Sequence, residues 1–271
     1  MLSRAQACFN PLDFEELIAT ARGKRVLLMI HGMAKDWDAA AKDFFNIYQN
    51  IKGEMGDRYD VFVAISWPGD RTLGPGPYVR ANKSSKKTGN QVADELEQLA
   101  AASASLDAIT HSMGSRVLAK GLKRSGVQID NLILLAPSIL KRQFEPLHRW
   151  HSMPKHVREH LVVCHSKGDW AFNWTSMQHA GMGYEGAKYL SPRKHPRLTQ
   201  LDCSAIINQD VYKRQPFQPF KSRSNHSFYC QNSMVFIAIS NILAHAPPQE
   251  AIKLEMRETG QVVGLKMQPK Q

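Results

Sequence analysis

Short, almost uninterrupted apolar runs recur along the chain and determine its predicted architecture. The runs are rich in β-branched residues and are too short for helices that are buried on all sides. We therefore interpret them as strands that are covered on both faces of a sheet. The predicted strands lie at 24–31, 59–66, 106–110, 129–136, 161–165 and 198–203.

Segments of helical character separate these strands. The predicted helices lie at 35–51, 90–102, 115–124, 149–160 and 233–244, whereas the stretch 73–87, rich in Gly, Pro and Lys, predicts a loop. Alternation of strands and helices predicts an α/β fold, a mostly parallel sheet with helices on both faces. We find no internal repeat and no linker, so we expect one domain over 1–271 with a loose, polar tail at 248–271.

Composition narrows the class of protein without identifying a partner. The chain has 271 residues, of which 43% are hydrophobic and 22% are charged, as in ordinary globular proteins. The 35 Lys and Arg residues outnumber 24 Asp and Glu residues, and the net charge of +11 favours anionic neighbours. Because there is no arginine-rich arm and no aromatic RNA-binding signature, we expect no specific nucleic acid partner. Peripheral contact with an anionic membrane stays open.

The cysteines and the N-terminal segment bear on the compartment. The 4 cysteines include no C-x-x-C pair, and the chain is too long and too poor in cysteine for a disulfide scaffold. The first residues lack the apolar run of an export signal, and the apolar stretch 234–244 is too short to cross a bilayer. We therefore expect a cytoplasmic protein.

The most informative segment lies at the end of the third predicted strand. Residues 107–117 read DAITHSMGSRV, so that a buried strand runs into Ser112 and a helix follows. A serine hydroxyl becomes a nucleophile when a base takes its proton, and the amides at a helix start can stabilise an oxyanion. A serine at a helix start is commonly an N-cap, so a capping role for Ser112 stays open.

The order Thr110-His111-Ser112-Met113-Gly114 resembles the nucleophile elbow G-x-S-x-G of the α/β-hydrolase superfamily, with Thr110 in place of the first glycine. The segments RVLLMIHG, ISWPGD, LILLAPSI and HSFYCQNSMV extend the likeness. With them, residues 24–243 resemble a bacterial group of uncharacterised α/β hydrolases. The resemblance implies an esterase-like or lipase-like activity.

The resemblance also implies an oxyanion hole. In this superfamily a His-Gly turn after an early strand supplies one backbone amide, and this chain has His31-Gly32-Met33 at that place. The expected donors are therefore the amides of Met33 and Met113, and His31 is expected to be structural.

The acid and the base follow from the chain order serine, acid, histidine of the superfamily. Asp169 lies in a turn just past the fifth predicted strand and is the expected acid. His226 precedes the last predicted helix and is the expected base. The alternatives are Asp202 and then Asp130 for the acid, and His179, His195 and His245 for the base.

These residues imply a serine hydrolase that cleaves a small carboxylic ester or thioester through an acyl-serine intermediate, without metal or organic cofactor. His156 and His160 would share a helix face, which is metal-ligand spacing, but no carboxylate completes the set. The second hypothesis is a catalytically silent hydrolase fold that binds an acidic partner or a membrane surface. The sequence does not determine the oligomeric state.

One hexapeptide has two interpretations. Residues 210–215 read DVYKRQ, which can be back-translated as GAT GTG TAT AAG AGA CAG. This matches a transposon adaptor used in sequencing libraries, so the hexapeptide is either an assembly artefact or an ordinary basic loop of the natural chain.

Overall fold

A central sheet dominates the computed structural model. The structure describes residues 12–70, 72, 75–169, 171–172, 181–187, 197–207, 226–245, 251–256 and 262–267. Its strands are β1 Arg25–Ile30, β2 Val61–Ile65, β3 Ser105–His111, β4 Ile129–Leu135, β5 Val157–His165, β6 Leu198–Asp202, β7 Ala251–Met256 and β8 Val262–Met267. They are ordered β2-β1-β3-β4-β5-β6-β7-β8. All neighbouring pairs are parallel except β7 and β8, so the predicted fold class is confirmed.

Helices cover both faces of this sheet. They are α1 Phe14–Ala21, α2 Trp37–Met55, α3 Pro75–Gln91, α4 Ala93–Ala102, α5 Gly114–Ser125, α6 Met182–Glu185, α7 Ser204–Ile207, α8 Phe228–Gln231 and α9 Ser233–His245, with a 3-10 turn at Met153–His156. In β1, Leu27 packs with α2 and α9, whereas Leu28 packs with α4 and α5 on the other face. This two-sided burial explains why the strand reads as one continuous apolar run.

The loop predicted at 73–87 is wrong, because α3 occupies most of this stretch. Pro75 stands at the first helical position, where a proline is tolerated since its missing N–H would be unpaired there anyway. The buried positions of α3 are small residues such as Ala81, Ser85 and Gly89. They allow close approach to α5 but give no large apolar stripe for a sequence pattern to reveal.

The helix predicted at 149–160 is also wrong. Strand β5 begins at Val157, and its residues pair with β4 on one side and β6 on the other. Strand pairing therefore overrides the local spacing. His160 lies in β5, whereas His156 ends the 3-10 turn and its Nδ1 lies 2.8 Å from the carbonyl of Val127. The two histidines do not share a helix face as predicted.

The polar tail contributes two strands that the sequence pattern did not predict. Strand β7 extends the parallel sheet beside β6, and β8 pairs with β7 in antiparallel register. The hexapeptide at 210–215 lies outside the described residues. Among the helices of the described part of the chain, none has the length and apolarity to span a membrane.

Two glycine-to-alanine substitutions should have opposite effects on the free energy of unfolding, because Gly89 lies in the contact between α3 and α5 whereas Gly53 lies in open space. A Cβ at Gly89 would lie 2.5 Å from the Val117 carbonyl oxygen and 2.7 Å from Lys120 Cβ, whereas one at Gly53 in α2 would meet nothing within 4 Å. We expect Gly89→Ala to lower the free energy of unfolding by about 1–3 kcal/mol through overpacking. Gly53→Ala should raise it by about 0.5–1 kcal/mol through helix propensity. Urea unfolding measures both, and stabilisation by both variants would contradict the close contact.

Candidate active site

Ser112 occupies a strained turn between β3 and α5. Its φ is 51°, in the left-handed region that non-glycine residues rarely adopt. Its amide donates to the carbonyl of Leu135 at 2.9 Å. Its own carbonyl accepts from the amide of Ser138 at 3.1 Å and from the Ser115 hydroxyl at 2.6 Å. The end of β4 and the first turn of α5 thus hold the strained conformation.

In the structure, Ser112 is not the N-cap of α5. The residue that caps α5 is Met113, whose side chain makes no capping hydrogen bond. Ser112 precedes this cap and has a positive φ. This is the geometry of a nucleophile elbow.

Two glycines let the turns after β1 and β3 touch. A Cβ at Gly114 would lie 2.5 Å from the carbonyl oxygen of Ile30, and one at Gly32 would lie 2.9 Å from Ser112 Cβ. Neither position therefore accepts a side chain without displacing backbone or the serine. The expected small residue at position 114 is needed because the Ile30 carbonyl lies so close. At position 32, a glycine is needed because Ser112 itself lies in contact.

The two expected oxyanion donors lie on these touching turns. Within the described residues, neither the amide of Met33 nor that of Met113 donates a hydrogen bond. Met113 is fully buried, and its amide belongs to the first turn of α5, where helix amides lack an internal partner. Two unpaired amides beside the serine are what an oxyanion requires.

His31 is fixed as a structural element of the first turn. Its Nδ1 lies 2.6 Å from the carbonyl oxygen of Gly32, so Nδ1 donates. Its Nε2 accepts from the Trp67 amide at 3.0 Å, and the Trp67 indole donates to the His31 carbonyl at 2.8 Å. Burial lowers the pKa of His31 to about 4, which keeps the ring neutral as this acceptor role requires.

Asp169 and His226 form a direct pair. His226 Nδ1 donates to Asp169 Oδ2 at 2.7 Å, and the other carboxylate oxygen accepts from the Ala171 amide at 3.1 Å. The Asp169 side chain is fully buried, whereas that of His226 is 20% exposed. Phe172 packs edge-on against the His226 ring at 5.6 Å between centroids. Because Nδ1 carries the proton, Nε2 is the basic nitrogen of this ring.

His111 joins the serine turn to this pair. It directly precedes Ser112, its ring centroid lies 4.7 Å from that of His226, and its Nε2 donates to the His226 carbonyl at 2.9 Å. In the described part of the chain, the Ser112 hydroxyl makes no hydrogen bond to the His226 ring. Catalytic hydrogen bonds are often long in enzymes without substrate and tighten when it binds.

The alternatives for acid and base do not reach this site where they are described. Asp130 accepts from the Leu106 amide and from Arg158. Asp202 accepts from the amide and hydroxyl of Ser204. His179 and His195 lie outside the described residues, as does the side chain of His245.

A buried polar cluster lies behind His226. Ligand atoms of Asp43, His111 and Cys230 lie within 4.8 Å of one another. The ammonium of Lys35 contacts the Asp43 carboxylate at 2.6 Å, so this carboxylate already has a cationic partner. Sequence reasoning missed Lys35, Asp43 and the role of His111. The only available signal was the histidine immediately before the serine.

A cavity opens beside the turn after β1. It has a volume of about 640 Å³ and is lined by the start of α2 with the two residues before it, the loop after β2 and the middle of α3. Gly69 connects it to the candidate oxyanion donor, since its carbonyl accepts from the Ala34 amide and its Cβ position lies 3.2 Å from Met33 Cα. The volume suits a small molecule.

Comparison with known proteins agrees with this architecture. A family described as alpha/beta hydrolases of unknown function (DUF900) matches residues 9–242, a range that contains every candidate site residue. The chain belongs to this family. No curated protein matches this α/β hydrolase. A solved structure of a hydrolase from Oleispira antarctica is similar over 71% of this chain and 79% of its own, with 13% identity and a TM-score of 0.30. That likeness is too low to indicate a substrate.

The buried His31 predicts that this hydrolase loses stability in mild acid. Its pKa is about 4 in the folded protein, whereas an unfolded histidine titrates near 6.5. Between these values the unfolded chain binds a proton that the folded chain does not. The free energy of unfolding therefore falls by about 3 kcal/mol for this group as the pH drops from about 6.5 to about 4.

Chemical denaturation across this pH range checks the effect. His31→Gln should be less stable at pH 7 because the fit to Gly32 and Trp67 is lost, yet its stability should depend less on pH. Other buried histidines such as His111 and His165 titrate in both proteins, so the difference between the two curves reports His31. Parallel curves would contradict the assignment.

Proposed function

We propose that this α/β hydrolase is a serine hydrolase that cleaves a carboxylic ester or thioester through an acyl-serine intermediate. The observation that carries the proposal is the 2.7 Å contact between His226 Nδ1 and the fully buried Asp169 carboxylate, beside the strained turn of Ser112. A carboxylate that holds one ring nitrogen fixes the tautomer in which the other nitrogen can act as a base.

Acylation uses Ser112, His226 and the two turn amides. His226 Nε2 takes the Ser112 hydroxyl proton while Oγ bonds to the carbonyl carbon of the substrate. The carbonyl π electrons move to its oxygen, and the resulting oxyanion accepts from the amides of Met33 and Met113. When the oxyanion re-forms the double bond, the bond to the alkoxide or thiolate breaks, and His226 returns its proton to that leaving group.

Deacylation repeats the sequence with water. His226 Nε2 takes a proton from water as its oxygen attacks the acyl carbon, and the bond to Ser112 Oγ then breaks with return of the proton to Oγ. In both halves His226 becomes an imidazolium for a short time. Asp169 stabilises that charge from the Nδ1 side, in a site where burial strengthens the interaction.

Among the described residues, the cavity beside the turn after β1 adjoins the candidate donor Met33 and offers volume for part of the substrate. Of its charged lining groups, Arg80 pairs with Asp70 at 2.8 Å, Lys35 pairs with Asp43 outside the lining at 2.6 Å, and the Asp36 carboxylate accepts from the Ala39 amide. Trp37 lies in the same lining and is 40% exposed. These features favour an uncharged substrate that packs on an indole.

The proposal predicts that a fluorophosphonate probe labels the protein at Ser112. The probe requires a serine whose proton is taken by a neighbouring base, so Ser112→Ala should abolish labelling. Ser103→Ala is the matched control, because the Ser103 hydroxyl bonds only to the Leu99 carbonyl at the end of α4. Labelling is measured on a gel and the site by mass spectrometry. Labelling that persists in Ser112→Ala would contradict the assignment of the nucleophile.

Replacement of the acid predicts a defect in rate rather than in binding. Asp169→Asn should lower kcat for ester hydrolysis by about 10³–10⁴-fold because the amide favours the wrong His226 tautomer, with little change in KM. Asp202→Asn is the matched control, since Asp202 contacts Ser204 and not His226. Equal rates for the two variants would exclude Asp169 as the orienting acid.

The second candidate is a catalytically silent fold. The observation that favours it is that, among the described residues, the Ser112 hydroxyl makes no hydrogen bond to the His226 ring. The same probe decides between the two. Absence of labelling in a folded wild-type protein would support a binding role and reject the hydrolase proposal.

A further inference from the structure

Two described side chains contact His226 and Ser227, one at the backbone and one at a side-chain hydroxyl. His111 Nε2 lies 2.9 Å from the His226 carbonyl oxygen, and Lys35 Nζ lies 3.2 Å from the Ser227 hydroxyl. His111 ends β3, and Lys35 lies just before α2. The segment that carries the proposed base is therefore tied to two elements that do not adjoin it in the chain.

The His111 contact has only one possible direction. A carbonyl oxygen accepts, so His111 Nε2 carries the proton and Nδ1 is the unprotonated nitrogen. Nδ1 has no hydrogen-bond partner among the described residues and lies 4.0 Å from Asp43 Oδ2. The ring is 2% exposed, and burial lowers its pKa well below the usual value. His111 is thus a neutral donor over the ordinary pH range.

The Lys35 contact rests on a buried ion pair. Its ammonium lies 2.6 Å from Asp43 Oδ2, and the two side chains are 13% and 5% exposed. Asp43 projects from α2, a helix of nineteen residues that packs against the sheet. Asn50 of the same helix donates to the carbonyl of Cys230, inside α8, at 3.3 Å. Lys35, just before α2, and Asn50, within it, therefore contact Ser227 before α8 and Cys230 in α8.

We propose that His111, assisted by Lys35, is a positioning residue that holds the His226 backbone so that its ring faces Ser112. This inference rests on the proposed function, in which His226 is the base. His111 adjoins Ser112 in the chain, so the nucleophile and the support of the base share the end of one strand. The distance between Ser112 and His226 then depends on the His111 side chain more than on the chain that precedes His226.

The ring of His226 has its own restraint, which the His111 contact complements. The Asp169 carboxylate fixes Nδ1, whereas His111 fixes the main chain on the other side of the residue. With both ends held, rotation of the ring about its bonds is limited. A misplacement of about 1 Å at such a site costs about 10²-fold in rate.

The test compares two substitutions at His111 in the full chain. His111→Leu removes the donor, whereas His111→Gln keeps an amide N–H near the position of Nε2. We expect fluorophosphonate labelling of Ser112 to be about 10–100-fold slower in His111→Leu and within a few-fold of wild type in His111→Gln. Labelling of folded His111→Leu at the wild-type rate would overturn the proposal.

A spectroscopic readout separates positioning from general stability. In protein with ¹⁵N-labelled histidine, the Nδ1 proton of His226 in its bond to Asp169 gives its own resonance. This resonance should shift or broaden in His111→Leu and return in His111→Gln. If wild type is not labelled at Ser112, the proposed function fails, and this resonance still decides the role of His111: no change in His111→Leu would overturn it.

The second contact keeps the proposal testable if His111→Leu does not fold. Ser227→Ala removes the acceptor of Lys35 without leaving a buried charge, and Ser227→Thr keeps the hydroxyl as its matched control. We expect labelling to slow several-fold in Ser227→Ala and to stay near wild type in Ser227→Thr, with thermal unfolding measured for both. An equal labelling rate and an unperturbed His226 resonance in Ser227→Ala, relative to wild type, would overturn the inference.

Discussion

The ends of β1 and β3 lie against each other with no side chain between them, and the candidate site depends on this contact. Gly114 packs against the carbonyl of Ile30, and Gly32 packs against Ser112. The contact brings the amide of Met33 to the turn that carries Ser112. A larger residue at either glycine would separate the serine from one of its two expected oxyanion donors, because the clashing atoms belong to the backbone or to the serine itself.

The end of β4 and the first turn of α5 hold the strained conformation of Ser112. Hydrogen bonds from the end of β4 and from α5 satisfy both the amide and the carbonyl of Ser112, so its positive φ is over-determined by its surroundings. The proposed base, His226, is held in a similar way. Asp169 bonds to its ring, while His111 and Lys35 contact its main chain and the next residue.

The sequence predicts this architecture well where burial on two faces leaves a continuous apolar run, as in β1 and β4. It fails where long-range contact decides the outcome. Helix α3 packs through small residues, which form no apolar stripe, and the start of β5 is a strand because it pairs with β4. The strands of the polar tail likewise depend on partners far away in the chain.

The residues of the candidate site likewise include some that the sequence predicts and some that it does not. Ser112, Asp169 and His226 are recognisable because their order and their positions at strand ends follow a known pattern. Lys35 and Asp43 carry no such signal, since a lysine and an aspartate eight residues apart reveal nothing until α2 packs against the histidine segment. For the proposed role of His111, the sequence gives no signal beyond its place before Ser112, because its acceptor is a main-chain carbonyl that any residue could supply.

A crystal structure of the protein after reaction with a fluorophosphonate tests the central claim most directly. The account predicts a bond between Ser112 Oγ and phosphorus. It also predicts a phosphoryl oxygen about 2.7–3.1 Å from the amides of both Met33 and Met113, with His226 Nε2 near the phosphorus substituent that stands for the leaving group. A phosphoryl oxygen turned away from these amides, or an adduct on another residue, would contradict it.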